Sequence, residues 1–175
     1  KSILRRKLLL TRNRHVRMVC AMNAIPKVAL LIETARDYGR GVLRGIVDYA
    51  RLHGPWSFYV APRDVELALP KMQQWGGTGI IARLETPRIA RAVLDCGLPT
   101  VALDLSEEQL DPGHPCAELS ELSSDSHEAA CLATNHLLDR NFEHYGFVGD
   151  GRVWSHRRAA TFRRLAEAAG HNPHM

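Results

Sequence analysis

The chain has 175 residues, 45% of them hydrophobic and 24% charged. That suffices for one ordinary domain with a core of normal size and excludes a disordered, collagen-like or coiled-coil chain. The net charge of +4 conceals an asymmetry, since residues 1–25 hold seven basic side chains (Lys1, Arg5, Arg6, Lys7, Arg12, Arg14 and Arg17) and no acid, leaving 16 basic against 19 acidic groups in the rest.

The basic character therefore belongs to an N-terminal extension, expected to be disordered and to give no more than weak, salt-sensitive attraction to phosphates. An extension with Met18 or Met22 as the working start is the expectation, and a transit peptide, which such an Arg-rich, acid-free segment also suits, is the alternative. No apolar run reaches the roughly 18–20 residues of a membrane helix, and Leu8, Leu9 and Leu10 make too short a core for a secretory signal. Cys20, Cys96, Cys116 and Cys131 have no CxxC spacing and read as reduced thiols of a cytoplasmic protein.

From Pro26 onward two periodicities alternate. Residues 28–32 are a continuous β-branched and apolar run, expected of a strand covered on both faces. Residues 39–53 place Val42, Leu43, Ile46, Val47 and Ala50 on one helical face, with Gly54-Pro55 as the stop. A strand at 56–60 and a short helix ending near Trp75, with Pro70 close to its first turn, lead through Gly76-Gly77 to a strand at 79–82. Thr86 is the expected cap of the next helix, Pro87 its first residue, Ile89, Val93 and Cys96 its inner face and Gly97 its end. A fourth strand spans 100–103, a polar loop carries Pro112, Gly113 and Pro115, and a fifth strand lies around 119–123. Asp125 and Glu128 form a capping pair for a helix to about residue 139. A sixth strand at 145–148 and a helix near 155–169 complete the series. Six strands alternating with helices imply a doubly wound, mainly parallel α/β sheet whose ligand sits at the carboxyl ends of the strands.

Gly39-Arg40-Gly41 with Gly45 imitates the phosphate loop of a dinucleotide enzyme, but six residues separate it from the strand, whereas that motif needs its first glycine almost at once. Those glycines more simply allow a turn and close helix packing. There is no GxxxxGK[ST] loop, HExxH pair or GxSxG elbow, so no cofactor, metal or catalytic residue is expected. The loops after the strands instead carry Arg36, Asp37 and Tyr38, then Arg83 and Glu85, Asp104, Asp125, and Trp154 with Arg158. Carboxylates and guanidinia can each bind two hydroxyls of a neutral polyol, and aromatic faces cover the apolar faces of a sugar ring. Each of these residues is also of a kind that solvated loops and helix caps carry, and Asp125 is accounted for as a cap.

The segments KVALLIETARDYGRGVLRGIVDYA, GIIARL, GLPTVALDLS and HYGFVG followed by WSHRRAATF resemble, in this order and spacing, the ligand-binding half of xylose operon regulators. The likeness covers residues 26 to about 170. It implies a periplasmic-binding-protein-like (type I) sugar-binding domain related to that of lac-type repressors, in a cytoplasmic, homodimeric regulator that reads DNA through an arabinose-regulator-type domain not in this chain. It further implies a first lobe at 26–140, the start of a second, incomplete lobe at 141–175, and a sugar effector such as xylose. By the same resemblance Tyr38 matches an aromatic that stacks on the sugar, Arg36 a polar contact before it, Asp104 the carboxylate after the fourth strand, and Arg158 the arginine of the second lobe's first helix, with Trp154 four residues before it. Two positions depart from the pattern: Leu105 replaces a second polar contact of ribose receptors, and Arg83 stands where a carboxylate is expected. The terminal strand and helix are expected either to add to the edge of the first sheet or to promote self-association. A dinucleotide oxidoreductase using the 39–45 loop is the main alternative. A sugar carrier that does not bind DNA is another, and a periplasmic one would need an export signal that residues 1–25 do not show.

Overall fold

In the computed structural model the first strand, β1 (Lys27–Leu31), is apolar on both sides because it lies inside a parallel sheet, with β2 (Ser57–Val60) on one flank and β3 (Gly79–Ala82) on the other. The structure describes residues 25–61 and 65–175; the basic side chains of the N-terminal extension and Cys20 lie outside the described residues. Alternation along β1 divides the core in two. Val28, Leu30 and Ile32 join Leu103 and meet Val42, Leu43 and Ile46 of helix α1 (Asp37–His53). Ala29 and Leu31 join Ile80 and Ala82 and meet Leu69 and Met72 of α2 (Val65–Gln74) and Ile89 and Val93 of α3 (Pro87–Asp95). With β4 (Thr100–Leu103) and β5 (Ser120–Leu122), the sheet has five strands in the order β2-β1-β3-β4-β5, all parallel, with helices on both faces.

Helix α3 starts and stops on local chemistry. Thr86 Oγ1 accepts from the Ile89 N–H at 3.2 Å and donates to Glu66 Oε1 at 2.6 Å, and Gly97, at φ +59°, supplies the left-handed residue after the helix. Thr86→Ala should lower stability by about 1 kcal/mol and the melting temperature by roughly 2–4 °C, with Thr86→Ser close to wild type, as thermal unfolding would show.

Several expectations are corrected. Pro70 is not in the first turn of α2 but inside the helix. Burial of Leu69 and Met72, worth about 1.5–3 kcal/mol each, offsets the roughly 3 kcal/mol of an interior proline. Val47 is more than a third exposed, at the margin of the α1 face rather than in it. The polar loop after β4 holds a short helix, α4 (Glu107–Leu110), and a 3-10 turn at Pro115–Glu118. The sixth strand does not form. Residues 145–147 pair only with His174, through an isolated parallel bridge in which the His174 N–H donates to the Tyr145 carbonyl and the Phe147 N–H to the His174 carbonyl, each at 2.9 Å. A strand is made by its neighbours, and this segment lacks them: it does not join the edge of the sheet. It is held through α6 (Val153–Ala168), which packs along α5 (Ser126–Leu138). Among the described residues no helix is long and apolar enough to cross a membrane.

Candidate functional site

The strand order reverses at β1, and the carboxyl ends of the strands beside such a point leave a crevice. Three of the expected residues meet there: Tyr38 in the first turn of α1, Arg83 after β3 and Asp104 after β4. The Arg83 guanidinium lies over the Tyr38 ring, 5.5 Å from its centroid. Its Nη2 is 3.8 Å from Asp104 Oδ2 and its Nε 3.3 Å from Glu85 Oε1. Burial, and then the adjacent Asp104 carboxylate, pushes the Tyr38 phenol well above its ordinary range, so it stays a neutral hydroxyl donor. Asp104 itself adopts φ +49°, a left-handed conformation that aspartate tolerates better than most residues. Its side chain is only 10% exposed, and Oδ1 is buried without a hydrogen-bond partner.

Asp104 and Arg83 line a cavity of about 580 Å³, within the roughly 300–1,000 Å³ of small-molecule sites. One wall, from the ends of β3, β4 and β5 and from α4, is rich in carboxylates: Glu85, Asp104, Glu107, Glu108 and Glu121. The facing wall is the amino end of α6, with Arg152, Trp154, His156 and Arg157. The turn into α6 is tied by Ser155 Oγ, which accepts the Asp150 N–H at 3.0 Å, and by Asp150 Oδ1, which accepts the Arg152 N–H at 3.1 Å. Arg158 stacks on Trp154, 4.7 Å from the ring centroid, and donates from Nη2 to Ser124 Oγ at 3.3 Å, while its Nε is buried and unpartnered.

A family model described as the XylR N-terminal domain matches residues 27–116, 90 of the 175 residues. The chain belongs to this family. The xylose operon regulatory protein of Escherichia coli strain K12 is 24% identical in an alignment of 144 residues that covers 79% of this chain and 36% of the relative. The chain thus spans little more than a third of the length of the curated relatives it matches. Among solved structures, that of the xylose-binding transcription activator XylR matches with TM-score 0.61 at 21% identity, over 81% of this chain and 35% of the other. A solute-binding protein of an ABC transporter from Burkholderia multivorans matches with TM-score 0.66 at 17% identity, over 86% and 59%. These likenesses place the fold with periplasmic-binding-protein-like domains.

In this XylR-type domain not every expected residue reaches the crevice. Arg36 caps α1 only through its backbone, and its side chain, two-thirds exposed, is drawn to Glu33 at 3.8 Å instead of to the cavity. Asp125 is the cap of α5, with Oδ1 accepting the Glu128 N–H at 2.9 Å. The structure also adds residues that the sequence did not single out. His114 Nδ1 accepts the Cys116 N–H at 3.1 Å, so in the neutral ring the proton sits on Nε2, a donor on a residue that lines the cavity. Helix α4 is fastened by a capping box in which the Ser106 hydroxyl accepts from the Gln109 N–H and the Gln109 side chain accepts from the Ser106 N–H. The Ser-x-x-Gln spacing is a signal that could have located it. Among the described residues no group of three or more His, Cys, Asp or Glu is placed to hold a metal ion.

Proposed function

We propose that this chain is the effector-sensing part of a sugar-responsive transcriptional regulator, that its effector is xylose or a related sugar, and that it binds this sugar without making or breaking a bond. The observation that carries the reading is Asp104: a nearly buried carboxylate at the topological crevice with one oxygen left unpartnered. Such an acceptor calls for a donor from a ligand. The facing walls narrow the choice. Carboxylates accept on one side, and arginines and the indole donate or stack on the other, so a ligand whose groups both donate and accept satisfies both. Hydroxyls do this and simple anions or cations do not. Arg83, Asp104 and Trp154, which line the cavity, are the assigned contacts, backed by Tyr38 under Arg83 and Arg158 on Trp154, neither of which lines it.

In this reading residues 26–140 form the first lobe and 141–175 open the second, with α6 forming the far wall of the cleft. Closure on the sugar would bias a cytoplasmic homodimer between two states, with DNA contacted by other parts of a longer regulator, through a coupling of about 1–3 kcal/mol. Calorimetric titration of the complete regulator with pentoses and hexoses tests the assignment. Saturable D-xylose binding is expected, and Trp154→Ala should weaken it by about three- to tenfold through loss of the stacking face. Absence of binding by any pentose or hexose at millimolar concentration would overturn the reading.

A further inference from the structure

Glu121 sits on the short edge strand β5 and belongs to no motif. Its side chain nevertheless lines the cavity, and its Oε1 accepts the backbone N–H of Leu105 at 3.1 Å. Leu105 is the residue after Asp104, and this is where the β4 ladder fails. Leu103 pairs with Leu122, and the Asp104 N–H still reaches the Leu122 carbonyl at 3.2 Å. Beyond that, Asp104 turns left-handed and β5 ends, so the amide of the buried Leu105 has no main-chain acceptor in the sheet. A buried amide without a partner is strongly disfavoured. The Glu121 carboxylate takes the place of the missing strand. One bond to β5 main chain and one to a β5 side chain therefore hold the chain on either side of the Asp104 Cα.

We infer that Glu121 is a positioning residue of the site: by holding the Leu105 amide it fixes the left-handed turn that keeps the Asp104 carboxylate at the cavity wall. The inference rests on Asp104 being the sugar contact proposed above, so its test includes a measurement that needs no sugar. Glu121→Ala and Glu121→Gln are made in the full-length regulator, and D-xylose affinity by calorimetry, thermal stability and exchange of the Leu105 amide in the sugar-free protein are compared. Glu121→Ala should speed Leu105 exchange and weaken D-xylose binding by about tenfold each and lower the melting temperature by roughly 3–6 °C, because a bond to a charged acceptor is lost at one buried amide. Glu121→Gln retains a carbonyl acceptor and should restore both. Unchanged exchange in Glu121→Ala overturns the inference, as does unchanged affinity despite faster exchange, or a Gln variant that behaves like Ala. A wild-type protein that takes up no D-xylose, with Leu105 still loosened in Glu121→Ala, overturns the sugar reading and supports the hold of Glu121 on the turn.

Discussion

Asp104→Asn should leave the domain folded and weaken D-xylose binding by roughly 10- to 150-fold, the equivalent of about 1.5–3 kcal/mol for a hydrogen bond to a charged group. The selectivity of that effect follows from the surroundings. Asparagine accepts the left-handed backbone of this position about as well as aspartate. Removing the charge does not strand Arg83, because its Nε keeps Glu85 at 3.3 Å and its guanidinium keeps the Tyr38 face. Stability should therefore fall by no more than about 1–2 kcal/mol, because the pair is nearly buried but its 3.8 Å separation is longer than a hydrogen bond and Arg83 keeps its other partners. Asp104→Ala removes the same ligand contact but also places a residue with no local hydrogen-bonding side chain at φ +49°, adding a backbone penalty of about 1–2 kcal/mol. The pair of variants, read by calorimetry and thermal melting, separates the binding role of the carboxylate from the conformational role of the residue. Wild-type affinity in Asp104→Asn would remove the carboxylate from the binding site.

The parts of this molecule that could be read from its sequence are those decided within a few residues. The run at 28–32, the α1 stripe of Val42, Leu43 and Ile46, and the Thr86-Pro87 start of α3 each carry their own periodicity or cap, and the structure places them as expected. The segment at 145–148 has the composition of a strand, yet strand formation depends on a ladder partner from elsewhere, and the structure supplies only His174. The cavity behaves likewise. Arg83 and Asp104, which line the cavity, were legible because they follow strand ends, where α/β sheets keep their ligands, whereas Trp154, also in the wall, was expected to follow a sixth strand that does not form. The bond from Leu105 to Glu121 spans 16 residues and exists because β4 and β5 both stop at the Leu103–Leu122 pair and leave the next amide without a ladder acceptor, a fact that no local pattern encodes. Arg36 illustrates the converse: its position after β1 suits a contact, but the choice between crevice and Glu33 is made by the direction of one side chain.

Gly39→Ala and Gly41→Ala, two residues apart in one helix, should move stability in opposite directions. A Cβ at position 39 would lie 1.8 Å from the Glu33 carbonyl oxygen and 3.4 Å from Ile32 Cγ2. The first obstacle is main chain continuing from the buried end of β1, so the helix itself must retreat, at about 3 kcal/mol or more for overpacking of this severity. At position 41 a Cβ meets nothing within 4 Å, and alanine in a helix interior is favoured over glycine by about 0.5–1 kcal/mol. Urea unfolding midpoints would register both signs. The same comparison tells close packing from a phosphate cradle. A cradle needs glycines in the loop before the helix, but here the helix already begins at Asp37, and that acidic first residue disfavours a phosphate at its amino end. What Gly39 permits is the approach of the first turn of α1 to Glu33, and Tyr38 lies in that turn with its ring under Arg83. Gly39→Ala should therefore weaken D-xylose binding by displacing Tyr38, whereas Gly41→Ala should stabilise the domain and bind as wild type. Loss of stability in Gly41→Ala, or a Gly39→Ala variant as stable as wild type, would show that these glycines serve something other than packing.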